Sequence, residues 1–207
     1  MGYSTDFIGH IEIRPALNDA EIEYLEAFTT SRRCRRPGGP YDVPGNPRAE
    51  TFEDFPTDVI NRVAAGQPDF WCDWSVCWEG CCLAWSGKEK SYAMVPWLKY
   101  LIGHFLRPGA AASKDTRFEE FTFDHRLSGM VVGCRRTDKE LFAIRVSNNR
   151  VTERVLNPGD RRFADAPLLP YEAAIDRDEQ MFRRRRRRRQ DRFPADGDNV
   201  VPISGSR

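Results

Sequence analysis

The chain has 207 residues, 40% of them hydrophobic and 30% charged, with a net charge of +1, which fits one globular domain plus a tail. Charge this near balance excludes a uniformly basic polyanion binder, and no apolar run approaches the roughly 18 residues of a membrane span. The opening residues Met1, Gly2, Tyr3, Ser4, Thr5 and Asp6 form neither a signal nor a transit peptide, and Asp6 stands where a myristoylation motif needs Ser or Thr. With six cysteines and no export signal, a reducing cytoplasm is expected.

Residues 2–13 read as a first strand carrying Phe7, Ile11 and Ile13, ended by Pro15. Asn18 followed by Glu21 has capping-box spacing and opens a helix to about residue 30, with Ile22, Leu25 and Phe28 on its buried side. Arg32, Arg33, Arg35 and Arg36 then precede Pro37, Gly38, Gly39 and Pro40, which stop the helix. Cations suit a helix C-terminus, at about 0.3–1 kcal/mol each. Four exceed that role, so Arg32, Arg33 and Arg36 are candidates for binding an anion. Residues 41–56 read as a long loop, and residues 58–65 as a short helix capped by Thr57 and closed by Gly66.

Residues 70–92, FWCDWSVCWEGCCLAWSGKEKSY, hold four of the five tryptophans and four of the six cysteines. Two-residue alternation on either side of Glu79 and Gly80 predicts a β-hairpin with Trp74 opposite Trp85 and Val76 opposite Leu83. A two-residue turn would put Trp78 opposite Cys81, although Glu-Gly is not the favoured pair and a longer turn with a Gly bulge fits as well. Trp74, Trp78 and Trp85 then lie on one face, either as core or as the aromatic wall of a pocket. Beside that wall Lys88, Glu89, Lys90 and Tyr92 make a polar strip suited to holding a ligand. Cys72, Cys77, Cys81 and Cys82 do not have the spacing of two C-x2–4-C knuckles, and the register divides them two and two between the faces. No metal is expected there, and a Cys77–Cys82 cross-strand disulfide would need an oxidising compartment.

A second helix is predicted over residues 94–106, with Pro96 in its first turn and Leu98, Leu101, Ile102 and Phe105 as its buried stripe. Residues 118–155 read as a β-meander: Phe121 and Phe123 alternate, Ser128 and Gly129 turn the chain, and Asn148 with Asn149 makes a later tight turn. The sum is an α+β fold, a mainly antiparallel sheet with two main helices on one face. Its β-α-β-β-α-β opening allows a ferredoxin-like core extended by the C-terminal meander. Residues 1–157 are thus expected to form one domain. Residues 158–207 are expected to be a disordered tail, because the run Arg183, Arg184, Arg185, Arg186, Arg187, Arg188 and Arg189 cannot bury itself and would attract polyanions.

No nucleophile-elbow, zincin or phosphate-loop motif is present. His125, next to Asp124 at a strand end, is the best acid–base candidate, with Asp6 and Glu89 as weaker ones; His104 reads as structural. Several of these segments together resemble a family of small phage and bacterial proteins. They are Gly2 to Phe7, Thr30 to Arg36, Trp71 to Trp74, Leu83 to Tyr92, and Trp97 to Ile102. The likeness spans residues 1–155, implies a domain ending before the arginine run, and carries no activity. The functional expectation is binding of a phosphate-bearing ligand or nucleic acid, without a cofactor and without a membrane. An enzyme acting on a nucleotide and a protein-interaction module are the alternatives.

Overall fold

The computed structural model describes residues 4–45, 56–88 and 90–160, with single positions at 162, 177 and 181. Met1–Ala164 form one compact unit, and the expected tail lies almost wholly outside the described residues. Within them, strands β1 (Thr5–Arg14), β2 (Trp74–Val76), β3 (Cys82–Trp85), β4 (Arg126–Arg135), β5 (Leu141–Ser147) and β6 (Arg150–Asn157) form one sheet. The order is β2-β3-β1-β4-β5-β6, with every neighbouring pair antiparallel. Helices α1 (Asp19–Thr30), α2 (Thr57–Ile60) and α3 (Met94–Leu101) occupy the connections. This is the α+β architecture the sequence predicts. The ferredoxin-like core stays an expectation, since β2 and β3 span only three and four residues against ten in β1 and in β4.

Strand alternation decides which face the helices cover. Ile11 and Ile13 of β1, Trp74 and Leu83 of the hairpin, Leu127 and Val131 of β4, and Ile144 and Val146 of β5 join Leu25 and Phe28 of α1 and Trp97, Leu98 and Leu101 of α3 in one buried cluster. The opposite face carries Ile8, 76% exposed, and exposed Met130. The capping box forms as expected: Asn18 Oδ1 accepts from Glu21 N at 2.9 Å, and Glu21 Oε2 accepts from Asn18 N at 2.8 Å. α3 is shorter than the apolar stripe suggests, and continues as a wider π-helical turn over Ile102–Leu106.

Two sequence expectations fail for identifiable reasons. Phe121 and Phe123 alternate but form no strand. Thr116–Phe118 is a 3-10 turn, and the rings instead form a chain of edge-on and tilted contacts that begins at Tyr24 of α1, with Tyr24–Phe118, Phe118–Phe121 and Phe121–Phe123 centroids 4.9, 5.0 and 5.6 Å apart. Ser128 and Gly129 do not turn the chain; β4 runs straight through them and pairs with β1 from Thr5↔Arg135 to Arg14↔Arg126. Gly129 is there because the two backbones approach closely: a Cβ would lie 2.7 Å from His10 O, and one on Gly9 2.5 Å from Met130 O.

The hairpin register is the expected one, Trp74↔Trp85 and Val76↔Leu83. Its turn is the longer form. Gly80 N donates to Cys77 O at 2.9 Å, Cys77 N donates to Cys82 O at 3.1 Å, and Gly80 takes φ +67°, a turn closed by a glycine bulge. Leu17 N donates to Gly80 O at 3.1 Å and Ile13 N to Cys81 O at 2.8 Å, which docks the hairpin tip on the β1–α1 connection.

Candidate nucleic-acid interface

In the segment ahead of β2, Cys72, Asp73 and Trp74 are all buried while Trp71 turns out. Arg33 N donates to Phe70 O at 2.7 Å and brings the end of the arginine cluster against this aromatic pair. The Arg32 guanidinium lies 4.1 Å from the Phe70 ring centroid and 5.8 Å from that of Trp71. From the hairpin's exit, Lys88 Nζ reaches to 4.9 Å of the same indole and donates to Cys72 O at 3.0 Å. Trp71, 41% exposed, therefore has two cations close to its ring. Arg35 N donates to Arg62 O at 2.9 Å across the Cys34↔Val63 bridge, which sets two exposed arginines on neighbouring backbone segments.

The electrostatics beside Trp71 are balanced by one carboxyl. Burial lowers the Lys88 ammonium from its usual range, although charge from Cys72 and Asp73 raises it. Burial pushes Asp73 up to about 6, against the hydrogen bond it accepts from Ala93 N at 3.1 Å and the opposing charge of Lys88.

The other expected ligand-binding residues part company. Arg33 is fully buried: its guanidinium lies 3.9 Å over the Phe28 ring and donates to Gln67 Oε1, Ser31 Oγ, Pro40 O and Asp42 O. These bonds clamp the loop after α1 and leave Arg33 no face for a ligand. Arg36 is also buried and donates to Arg32 O at 3.1 Å. Trp74 is core, its Nε1 donating to Met94 O at 2.8 Å. Lys90 is exposed. Tyr92 is exposed on the rim of a cavity of about 120 Å³ that Met94, Pro96, Arg135 and Glu140 also line. Glu89 and the seven arginines from Arg183 to Arg189 lie outside the described residues.

The acid–base candidates are engaged elsewhere. His125 is fully enclosed, with Nδ1 2.9 Å from Pro15 O and Nε2 3.0 Å from Glu21 Oε1 and 3.1 Å from Thr122 Oγ1. Asp6 accepts two bonds from Arg136, at 2.9 and 2.8 Å. Trp71 and Arg62 were not singled out from the sequence as ligand-binding. Parity does not separate exposed Trp71 from buried Asp73, and Arg62 meets Arg35 only through tertiary pairing.

Among the described residues one group of thiols comes together: Cys77, Cys81 and Cys82, whose sulfurs lie within 4.8 Å of one another. The bulge at Gly80 defeats the expected division of these cysteines between faces. No family model, curated protein or solved structure matches this chain.

Proposed function

We propose that this protein binds a phosphate-bearing aromatic ligand, single-stranded nucleic acid first among them, across the surface formed by Arg32, Trp71 and Lys88. The observation that carries this reading is the exposed Trp71 indole with the Arg32 and Lys88 cations close to its ring. A base stacks on the indole, a contact worth about 1–3 kcal/mol, and the cations engage phosphates. Exposed Arg35 and Arg62 extend the basic track, and the Arg183 to Arg189 run adds a second, sequence-independent attraction. Binding of this kind needs no cofactor. The six cysteines are free thiols, in keeping with action in a reducing cytoplasm. No helix among the described residues is long and apolar enough to cross a membrane. The likeness to phage and bacterial proteins belongs to this reading and adds no activity to it. An enzyme is disfavoured by the engagement of Asp6 and His125.

A protein-interaction role is the second reading, favoured by Trp78, which is 86% exposed at the hairpin tip. Fluorescence anisotropy with a labelled single-stranded oligonucleotide separates the two. Trp71→Ala in the full chain should weaken binding by about 1–3 kcal/mol, and Trp78→Ala should not. The reverse ranking, or no binding at low salt, would favour the protein-interaction role.

A further inference from the structure

The hairpin tip gathers three sulfurs that neither the core nor the Trp71 surface uses. Cys77 Sγ and Cys81 Sγ are 3.5 Å apart, and the Cys82 backbone N–H donates to Cys77 Sγ at 3.1 Å. Glu79 Oε2 lies 3.8 Å from Cys81 Sγ. Sulfurs bound to a common Zn²⁺ at about 2.3 Å in tetrahedral geometry are separated by roughly 3.8 Å. The observed spacing of all three, within 4.8 Å, is reached by side-chain adjustment alone. The backbone beneath is held in place. A Cβ added at Gly80 would lie 2.9 Å from Leu17 Cβ and from Ile22 Cδ1, so the bulge that aligns the sulfurs is packed against the body of the domain.

We propose that Cys77, Cys81 and Cys82 form a three-thiolate site for a single thiophilic d¹⁰ cation, Zn²⁺ or Cu⁺, with Glu79 in reach of a fourth position. Soft thiolates select these ions over harder ones. Binding replaces three S–H bonds with sulfur–metal bonds and releases the protons to solvent, with no change of oxidation state. Cys81 and Glu79 are exposed, so the ion has an open path in. Zn²⁺ would take Glu79 or a water as fourth ligand; Cu⁺ is satisfied by the three sulfurs.

The test titrates the reduced full chain, without oxygen, with Co²⁺ as a spectroscopic stand-in for Zn²⁺ and with Cu⁺ against a competing chelator. A sulfur-to-cobalt charge-transfer band saturating at a single equivalent is expected. Cys77→Ser, Cys82→Ser and Cys81→Ser, the last at an exposed position where folding is least at risk, should each lower affinity at least about 100-fold. Cys134→Ser, on β4, should leave it unchanged. Glu79→Gln should weaken Zn²⁺ and spare Cu⁺, which tells the ions apart. Folded protein, judged by circular dichroism, with no charge-transfer band and no Cu⁺ retention would overturn the proposal. So would a band that survives Cys81→Ser.

Discussion

Glu21 closes the capping box of α1 with one carboxylate oxygen and anchors the approach to β4 with the other. Its Oε1 accepts from Thr122 N at 2.8 Å, Thr122 Oγ1 at 3.0 Å and His125 Nε2 at 3.0 Å, the last of these fully buried. Burial raises Glu21, but the bonds from His125, Asn18 and Thr122 overcome it and hold the carboxyl at about 2, below its ordinary 4.5. Burial lowers His125, but its bonds to Glu21 and Pro15 carry it above its ordinary 6.5. Glu21 therefore stabilises the fold fully above pH 4.5, and that contribution is lost as pH falls through about 2. His125 stabilises it fully below pH 6.5, and that contribution is lost as pH rises through its folded value. Denaturant melts across pH should show a plateau between about 4.5 and 6.5 with losses on either side. Glu21→Ala should cost about 3–5 kcal/mol and flatten both limbs; an unchanged profile would remove the pair from the account. Asp73 carries the matching prediction for binding. As pH falls through about 6 its carboxyl becomes neutral, Lys88 loses its counter-charge, and an anionic ligand should bind more tightly. Asp73→Asn should bind at that tighter level at all pH values. A wild-type affinity independent of pH from 5 to 7 would contradict the placement of the ligand beside Lys88.

At the level of elements, what was legible in the sequence is what short-range physics dictates. The Asn18–Glu21 spacing set the start of α1, and two-residue alternation set the hairpin register, because a slip of one residue would have exchanged Trp74 and Leu83 with Ser75 and Ala84. Contacts between distant segments were not legible. Phe121 and Phe123 share a strand's alternation, but Phe121 packs on Tyr24 of α1 and Phe123 on Phe121. Gly129 has a turn residue's identity, yet sits in mid-strand with φ +147° because β1 passes close by. Gly9→Ala tests that reading. It places a Cβ against Met130 O at a left-handed φ of +107° and should cost about 1–3 kcal/mol in thermal or denaturant unfolding. A neutral effect would mean the strands can separate there without penalty.

Across the whole molecule, the candidate surface draws on segments far apart in sequence: Arg32 after α1, Trp71 ahead of β2, and Lys88 past β3. Residue type pointed to Arg32 and Lys88, but not to the distinction among four chemically identical arginines. Arg33 and Arg36 are both taken inward, Arg33 completely, because Ser31, Gln67 and the Pro40 and Asp42 carbonyls are placed to accept its donors. The three sulfurs were likewise hidden, because Glu79 and Gly80 allow both a two-residue turn that divides the cysteines between faces and the glycine bulge that brings Cys77, Cys81 and Cys82 together. What remains to be separated is the contribution of the domain from that of the arginine run. The most direct measurement is oligonucleotide affinity in the full chain with residues 183–189 replaced by serine, with Trp71 intact and as Trp71→Ala. The account predicts that the serine variant still binds, with a shallower salt dependence, and that Trp71→Ala removes a further 1–3 kcal/mol, roughly. A serine variant that no longer binds, or one indifferent to Trp71, would assign all affinity to the arginine run and contradict a binding surface at Arg32, Trp71 and Lys88.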